Sequence, residues 1–181
     1  MFHIYHPTKT NKGFACSFWF SIREKCVFAT IVKQAGWDEK ADNGLFKASL
    51  EDPTKHVNIK LSDIEVGHIL ECLDKNRDFK TYHDNELKPK HISFTTWMGA
   101  AQKDVSGAVI KEACQQGFSF SISVIDKEDS TNKNSFYIGL NFGEARLLRE
   151  FLLFALHHFF EERTSLAANK NNNSKSKTID I

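Results

Sequence analysis

Two stretches of this chain switch from strand period to helix period at matching points: VNIKLSDIEVGHILECL at 57–73 and FYIGLNFGEARLLREFL at 136–152. Superposed, they pair Ile59 with Ile138, Leu61 with Leu140, Glu65 with Glu144, Glu71 with Glu150 and Leu73 with Leu152. Each opens with alternating apolar residues, the pattern of a strand with one buried face. Each then meets a polar residue, Ser62 or Asn141, with glutamate three places on. That is the spacing of a capping box, in which the cap side chain accepts from an orphan N–H and the glutamate reaches back to the cap's own N–H. Asn in place of Ser is expected to make the second box looser. Single strand–cap–helix units are common in α+β proteins; the matching offset is what favours two similar halves.

Length allows one domain, or two intimately joined halves, in 181 residues. A chain of this size buries roughly 70% of its unfolded surface, so its core needs neither metal nor disulfide. Sixteen Phe and three Trp must either fill that core or supply stacking surfaces. With 24 Lys and Arg against 23 Asp and Glu, a histone-like basic binder is excluded, although a local basic face is not. Cys16, Cys26, Cys72 and Cys114 contain no C-x-x-C pair, which argues against zinc. Cys16 and Cys26 could meet across a hairpin, but reduced thiols are the expectation. No segment resembles a signal peptide or reaches bilayer-spanning length, so a soluble protein of the cytoplasm or another intracellular compartment is expected.

In chain order the pattern predicts an N-terminal arm at 1–13, then strands at 14–22, 25–34, 45–50 and 56–61. A helix follows from Ser62 to about Asn76, with Val66, Ile69, Leu70 and Leu73 as its apolar stripe. The second half predicts strands at 78–83, 91–98, 118–125 and 135–140, a helical insertion at 99–116, and a helix from Asn141 to about Arg163. The last helix is apolar nearly all round from Phe151 to Phe160 and should pack on more than one side. The expected fold is α+β, two tandem four-stranded antiparallel sheets each followed by a helix. The halves span 14–77 and 78–163, and a polar tail at 164–181 is expected to be disordered.

If the phenylalanine faces are buried, the opposite faces carry lysines, small hydroxyls and isolated aromatics. The stacking candidates are Trp19, Tyr82 and Trp97. The phosphate candidates are Lys33, Lys47, Lys60 and Lys80, with Arg23 and Lys25 at a hairpin tip. Trp37, in a glycine-flanked loop, either closes over a base or plugs the open end of the sheet. Charge for a phosphate backbone and ring faces for unpaired bases are what single-strand binding requires, and each stacked base is worth about 1–3 kcal/mol. A solvent-facing sheet is also commonly rich in Ser, Thr and Lys, so the same pattern fits an ordinary exposed face. Acidic Asp38, Glu39, Asp42, Glu51, Asp52, Glu128 and Asp129 gather in loops, where turn chemistry accounts for them. His157 and His158 are adjacent, unlike the i, i+4 spacing of a helical zinc pair. No phosphate loop, nucleophile elbow or metal set is present, so no enzyme, cofactor or metal is expected.

On the repeated NIKLSDIEVGHIL and YIGLNFGEARLL stretches and the strand–helix order, the chain resembles the Whirly fold. That fold is shared by plant Whirly proteins and mitochondrial guide-RNA-binding proteins, and its half-unit resembles the positive-cofactor-four coactivators. The resemblance spans about 14–163. The lysine-rich KGKAAL-type motif of plant Whirly proteins is absent. The resemblance implies sequence-tolerant binding of single-stranded DNA or RNA along the sheets by a homo-oligomer, dimer or tetramer. A protein-assembly module and a small-ligand barrel are the rival readings.

Overall fold

The first strand of each half ends in a histidine that holds a carboxylate at the start of the other half's helix. A computed structural model shows how the chain arrives there, and it describes residues 1–84, 88–103, 105–107, 109–127 and 133–176. The first half contains β1 (Phe2–His6), β2 (Phe14–Ser21), β3 (Cys26–Lys33), β4 (Gly36–Asp38), β5 (Asn43–Leu45), β6 (His56–Ser62) and α1 (Asp63–Lys75). The second contains β7 (Phe79–His83), β8 (Lys90–Met98), β9 (Gln102–Lys103), β10 (Val109–Lys111), β11 (Gln115–Ile125), β12 (Lys133–Asn141) and α2 (Phe142–Ser176). Two four-stranded antiparallel sheets result, ordered β1-β2-β3-β6 and β12-β11-β8-β7.

The alternation read from the sequence sets the faces. Phe18, Ala29 and Ile59 share one cross-strand row, and Phe94, Phe120 and Ile138 share its counterpart; all are buried. Both inner faces enter one core, and the Phe18 and Phe120 rings meet at 5.5 Å between the sheets. The helices close it with Val66, Ile69, Leu148, Leu152, Ala155 and Phe159. α2 therefore buries one stripe, while Leu147 and Phe154 stay exposed.

Both capping boxes form. Glu65 N–H donates to Ser62 Oγ at 3.3 Å, and Ser62 N–H donates to Glu65 Oε2 at 2.8 Å. In the second half Glu144 N–H donates to Asn141 Oδ1 at 3.0 Å, and Asn141 N–H donates to Glu144 Oε2 at 2.9 Å. The Asn box is thus no looser than the Ser box, because the longer amide reaches the same N–H. α1 ends at Asn76, a left-handed residue whose N–H donates to the Cys72 carbonyl at 2.9 Å.

Four expectations are corrected. The N-terminal arm is instead an edge strand: Phe2 and Ile4 turn inward while polar His3 and Tyr5 face out, which hid the alternation. The strand at 45–50 is instead a short 3-10 helix, Lys47–Leu50, preceded by a small β4–β5 ribbon. β3 therefore pairs directly with β6, and β1 supplies the sheet's fourth strand on the far side of β2. The described residues of the insertion at 99–116, all but 104 and 108, hold the β9–β10 ribbon in place of the expected helix. β-branched Val109 and Ile110 favour strand, and Gly107 has a positive φ of 86°. Finally, α2 runs past Arg163 to Ser176, since no Gly or Pro interrupts it there. Residues 177–181 of the expected tail, 85–87 between the expected strands at 78–83 and 91–98, and Glu128 and Asp129 lie outside the described residues.

The reciprocal ties join the halves. His83 of β7 donates to Glu65 Oε1 at 2.6 Å, and His6 of β1 donates to Glu144 Oε1 at 2.8 Å. Burial pushes the Glu65 carboxyl up, but donation from the Ser62 N–H, His83 and the Ser62 hydroxyl outweighs it and holds the group below its ordinary value of 4.5. A depressed carboxylate stabilises the fold above its unfolded pKa and loses that contribution as pH falls through the folded one. The melting temperature is therefore expected to fall on acidification below about pH 4.5, and Glu65→Gln should flatten that fall. Thermal denaturation of both proteins across the acid range checks this.

Candidate nucleic-acid interface

Outward residues of the second sheet form continuous rows. Lys80, Ser93, Ser121 and Tyr137 lie side by side across β7, β8, β11 and β12. The next row is Tyr82, His91, Ser123 and Ser135. Ser93 and Ser121 hydroxyls bond at 2.8 Å, Ser123 and Ser135 at 3.1 Å, and the Tyr82 and His91 rings are 4.8 Å apart. The surface is hydroxylated, with a cation at one edge and aromatic rings at both.

A third row, Thr95, Ser119 and Gly139, lies beside Trp97. The Trp97 ring leans over Gly139, where an added Cβ would sit 3.5 Å from it. Gly117 faces Trp97 in the ladder, and a Cβ there would strike the Leu140 carbonyl, so the tight β11–β12 approach needs glycine. Trp97 is 46% exposed and Tyr137 is 55% exposed. Together with His6, Ser119, Gly139, Asn141 and Glu144 they line a cavity of about 500 Å³.

The first sheet presents the equivalent surface differently. Its row His3, Ser17, Thr30 and Asn58 matches the row beginning at Lys80. The ladders align through the caps: Phe28 faces Lys60 as Ser119 faces Gly139, and Trp19 faces Phe28 as Thr95 faces Ser119. Trp97 therefore lies one outward position beyond the equivalent of Trp19. Trp19 stacks on Phe28 at 4.1 Å and 14°, leaving 37% of the residue exposed. Lys60 lies beyond them, 6.0 Å from the Phe28 ring and 2.8 Å from Glu24 Oε2. The bond to Glu24 raises the Lys60 pKa.

Of the expected site residues, Trp19 and Lys60 come together on the first sheet; Lys80 and Tyr82 are neighbours on the second, with Trp97 on the same face at the other end of β8. Arg23 and Lys25 sit at the β2–β3 turn as expected, Lys25 with a positive φ of 50° and its N–H on the Ile22 carbonyl. Lys33 is corrected. It points inward, donates to Asn134 Oδ1 at 2.5 Å and lies 4.6 Å from the Phe136 ring, so it ties the halves together. Burial lowers its pKa. Lys47 is also corrected: it is exposed on the 3-10 helix, off the strand face. Trp37 lies in the β4–β5 ribbon, half-buried, with Lys9 5.7 Å from its ring. Its buried indole N–H has no hydrogen-bond partner among the described residues. Asp38 and Asp52 perform turn chemistry, accepting from the N–H groups of Lys40 and Thr54.

The sequence reading missed Tyr5, His6, Asn141 and Glu144 as surface or cavity residues. A signal was available: FHIYH at 2–6 and FKTYH at 79–83 are the same Phe-x-x-Tyr-His strand. It places Tyr5 with Tyr82 and His6 with His83.

No family model matches the chain, and no curated protein matches it. Solved structures do share its fold. The plant transcriptional regulator PBF-2 is 15% identical over 92% of this chain and 85% of its own, with a TM-score of 0.56. WHY3 from Arabidopsis thaliana is 16% identical over 94% of this chain and 98% of its own, TM-score 0.54. WHY1 from the same plant is 17% identical over 88% of this chain and 92% of its own, TM-score 0.51. These neighbours are Whirly proteins, and the fold of this chain is Whirly-like.

Because Trp19 and Trp97 project outward, Trp19→Ala and Trp97→Ala should each cost less than about 1.5 kcal/mol of stability, against 3–5 kcal/mol for a core aromatic such as Phe120→Ala. Denaturant titration of the three variants checks the contrast.

Proposed function

We propose that this chain is a non-enzymatic protein that binds single-stranded nucleic acid, DNA in preference to RNA, and protects or presents it during replication, recombination or transcription. The observation that carries the proposal is the outer face of the second sheet, where Lys80, the serine rows, Tyr82, Trp97 and Tyr137 make one uninterrupted surface. Small hydroxyls let an extended strand lie close and donate hydrogen bonds to it. Exposed rings offer stacking surfaces that accept any base, which is the source of sequence tolerance. Lys80, with Arg23, Lys25 and Lys60 on the first half, supplies phosphate charge. The near-neutral chain total then matters little, since attraction depends on local distribution.

The Whirly-like fold supports this reading, because it arranges two such sheets on one core. The first face, with Lys60 over stacked Trp19 and Phe28, is the more electrostatic; the second is the more aromatic. The exposed Leu147 and Phe154 on α2 favour an assembly role, either as the contact that builds a homo-oligomer or as the whole function of the chain. No helix among the described residues is long and apolar enough to cross a membrane.

Titration with oligodeoxythymidine, followed by tryptophan fluorescence at several salt concentrations, is the test. Quenching is expected, with log K falling against log salt at a slope of about −2 to −3 for three or four phosphate contacts. Unchanged fluorescence and no salt-dependent binding would leave the assembly role as the account of the surface.

A further inference from the structure

We infer that the cavity between Trp97 and the start of α2 selects guanine, so that one base position of a bound strand is read while the others are merely stacked. The inference rests on the single-strand reading above.

Duplication supplies the first argument. The positions that floor this cavity are Ser119 and Gly139; their counterparts in the first half are Phe28 and Lys60. One half fills the place with a phenyl ring under Trp19, and the other leaves about 500 Å³ open. That volume lies in the range of sites that hold small planar ligands, and Trp97 and Tyr137 give it aromatic walls.

Its polar end supplies the second. Asn141 Oδ1 is occupied by the Glu144 N–H, which leaves the Asn141 amide nitrogen as a donor. Glu144 Oε2 accepts from the Asn141 N–H and Oε1 accepts from His6 Nε2. Each carboxylate oxygen keeps further lone-pair capacity. The cavity therefore presents a donor beside a two-oxygen acceptor. Guanine alone among the bases carries two adjacent donors, N1–H and the 2-amino group, beside the O6 acceptor on its Watson–Crick edge. Adenine, cytosine and thymine each offer one donor position there. A carboxylate also repels phosphate, so the occupant meets this end with its base edge and not its backbone.

The test uses the full chain and thymidine oligonucleotides that differ only in one central residue: dG, dA, dC or deoxyinosine. Anisotropy competition is expected to show the dG oligonucleotide binding about tenfold tighter than the dA one, the discrimination of one good bidentate base contact. Deoxyinosine, lacking the 2-amino group, should lose most of that gain. Glu144→Gln, which can still close a capping box, should bring the dG and dA oligonucleotides within about twofold of each other. Ser119→Phe, which installs the first half's occupant, should do the same by filling the cavity. Equal affinities for dG, dA and deoxyinosine in the unaltered protein, with thymidine binding intact, would overturn the guanine pocket and leave the single-strand reading standing. Absence of binding to every oligonucleotide would overturn both.

Discussion

Glu65 and Glu144 each answer to two parts of the chain. Each accepts its own helix's N-cap N–H, and each accepts from a histidine ending the first strand of the other half. An N-cap is worth about 1 kcal/mol, and a hydrogen bond to a charged group about 1.5–3 kcal/mol. The larger consequence is geometric. A helix start that is fixed by a strand from elsewhere cannot be moved without moving that strand. The helices lie against both inner faces, and the Phe18–Phe120 contact and the Lys33–Asn134 bond then bind the sheets directly. The halves are similar in sequence but interlocked in space, so neither has a core of its own.

Interlocking keeps the inner faces alike and leaves the outer faces unconstrained. Ile59 and Ile138, and Leu61 and Leu140, remain matched because both enter the shared core. Their outward neighbours diverge: Asn58 against Tyr137, and Lys60 against Gly139. The two matching surfaces thus carry different chemistry. The first is filled by Phe28 and Trp19 and salted by Lys60. The second is hollowed by Ser119 and Gly139 and rimmed by the carboxylate that also pins α2.

Much of this was legible in the sequence. The change of period at Ser62 and at Asn141 marked both helices, and strict alternation in 118–125 and 136–140 separated inward from outward residues correctly. Reading failed where a side chain's company, not its spacing, decided. Lys33 keeps strict alternation with Val27 and Ile31 yet is charged, and only the nearby Asn134 from the other half explains an inward lysine. β1 was hidden because a short edge strand with one buried face and His, Tyr and Pro around it looks polar. Lys47 was misplaced because β3 pairs directly with β6, which leaves its segment outside the sheet as a 3-10 turn. The cavity was invisible for a different reason: Ser119 and Gly139 are unremarkable until set against Phe28 and Lys60, which requires the ladder register. Only the echo of FHIYH in FKTYH could have pointed there from sequence.

The central claim is that a single strand lies across the outer face of the second sheet and enters the hollow beside Trp97. Photo-crosslinking of an oligonucleotide carrying 5-iododeoxyuridine, with the adducts located by mass spectrometry, tests it most directly. The account predicts adducts concentrated on Trp97, Tyr137 and Tyr82, with a weaker set at Trp19. Adducts confined to α2 or to Trp37, with none on the β8 and β12 outer residues, would contradict it.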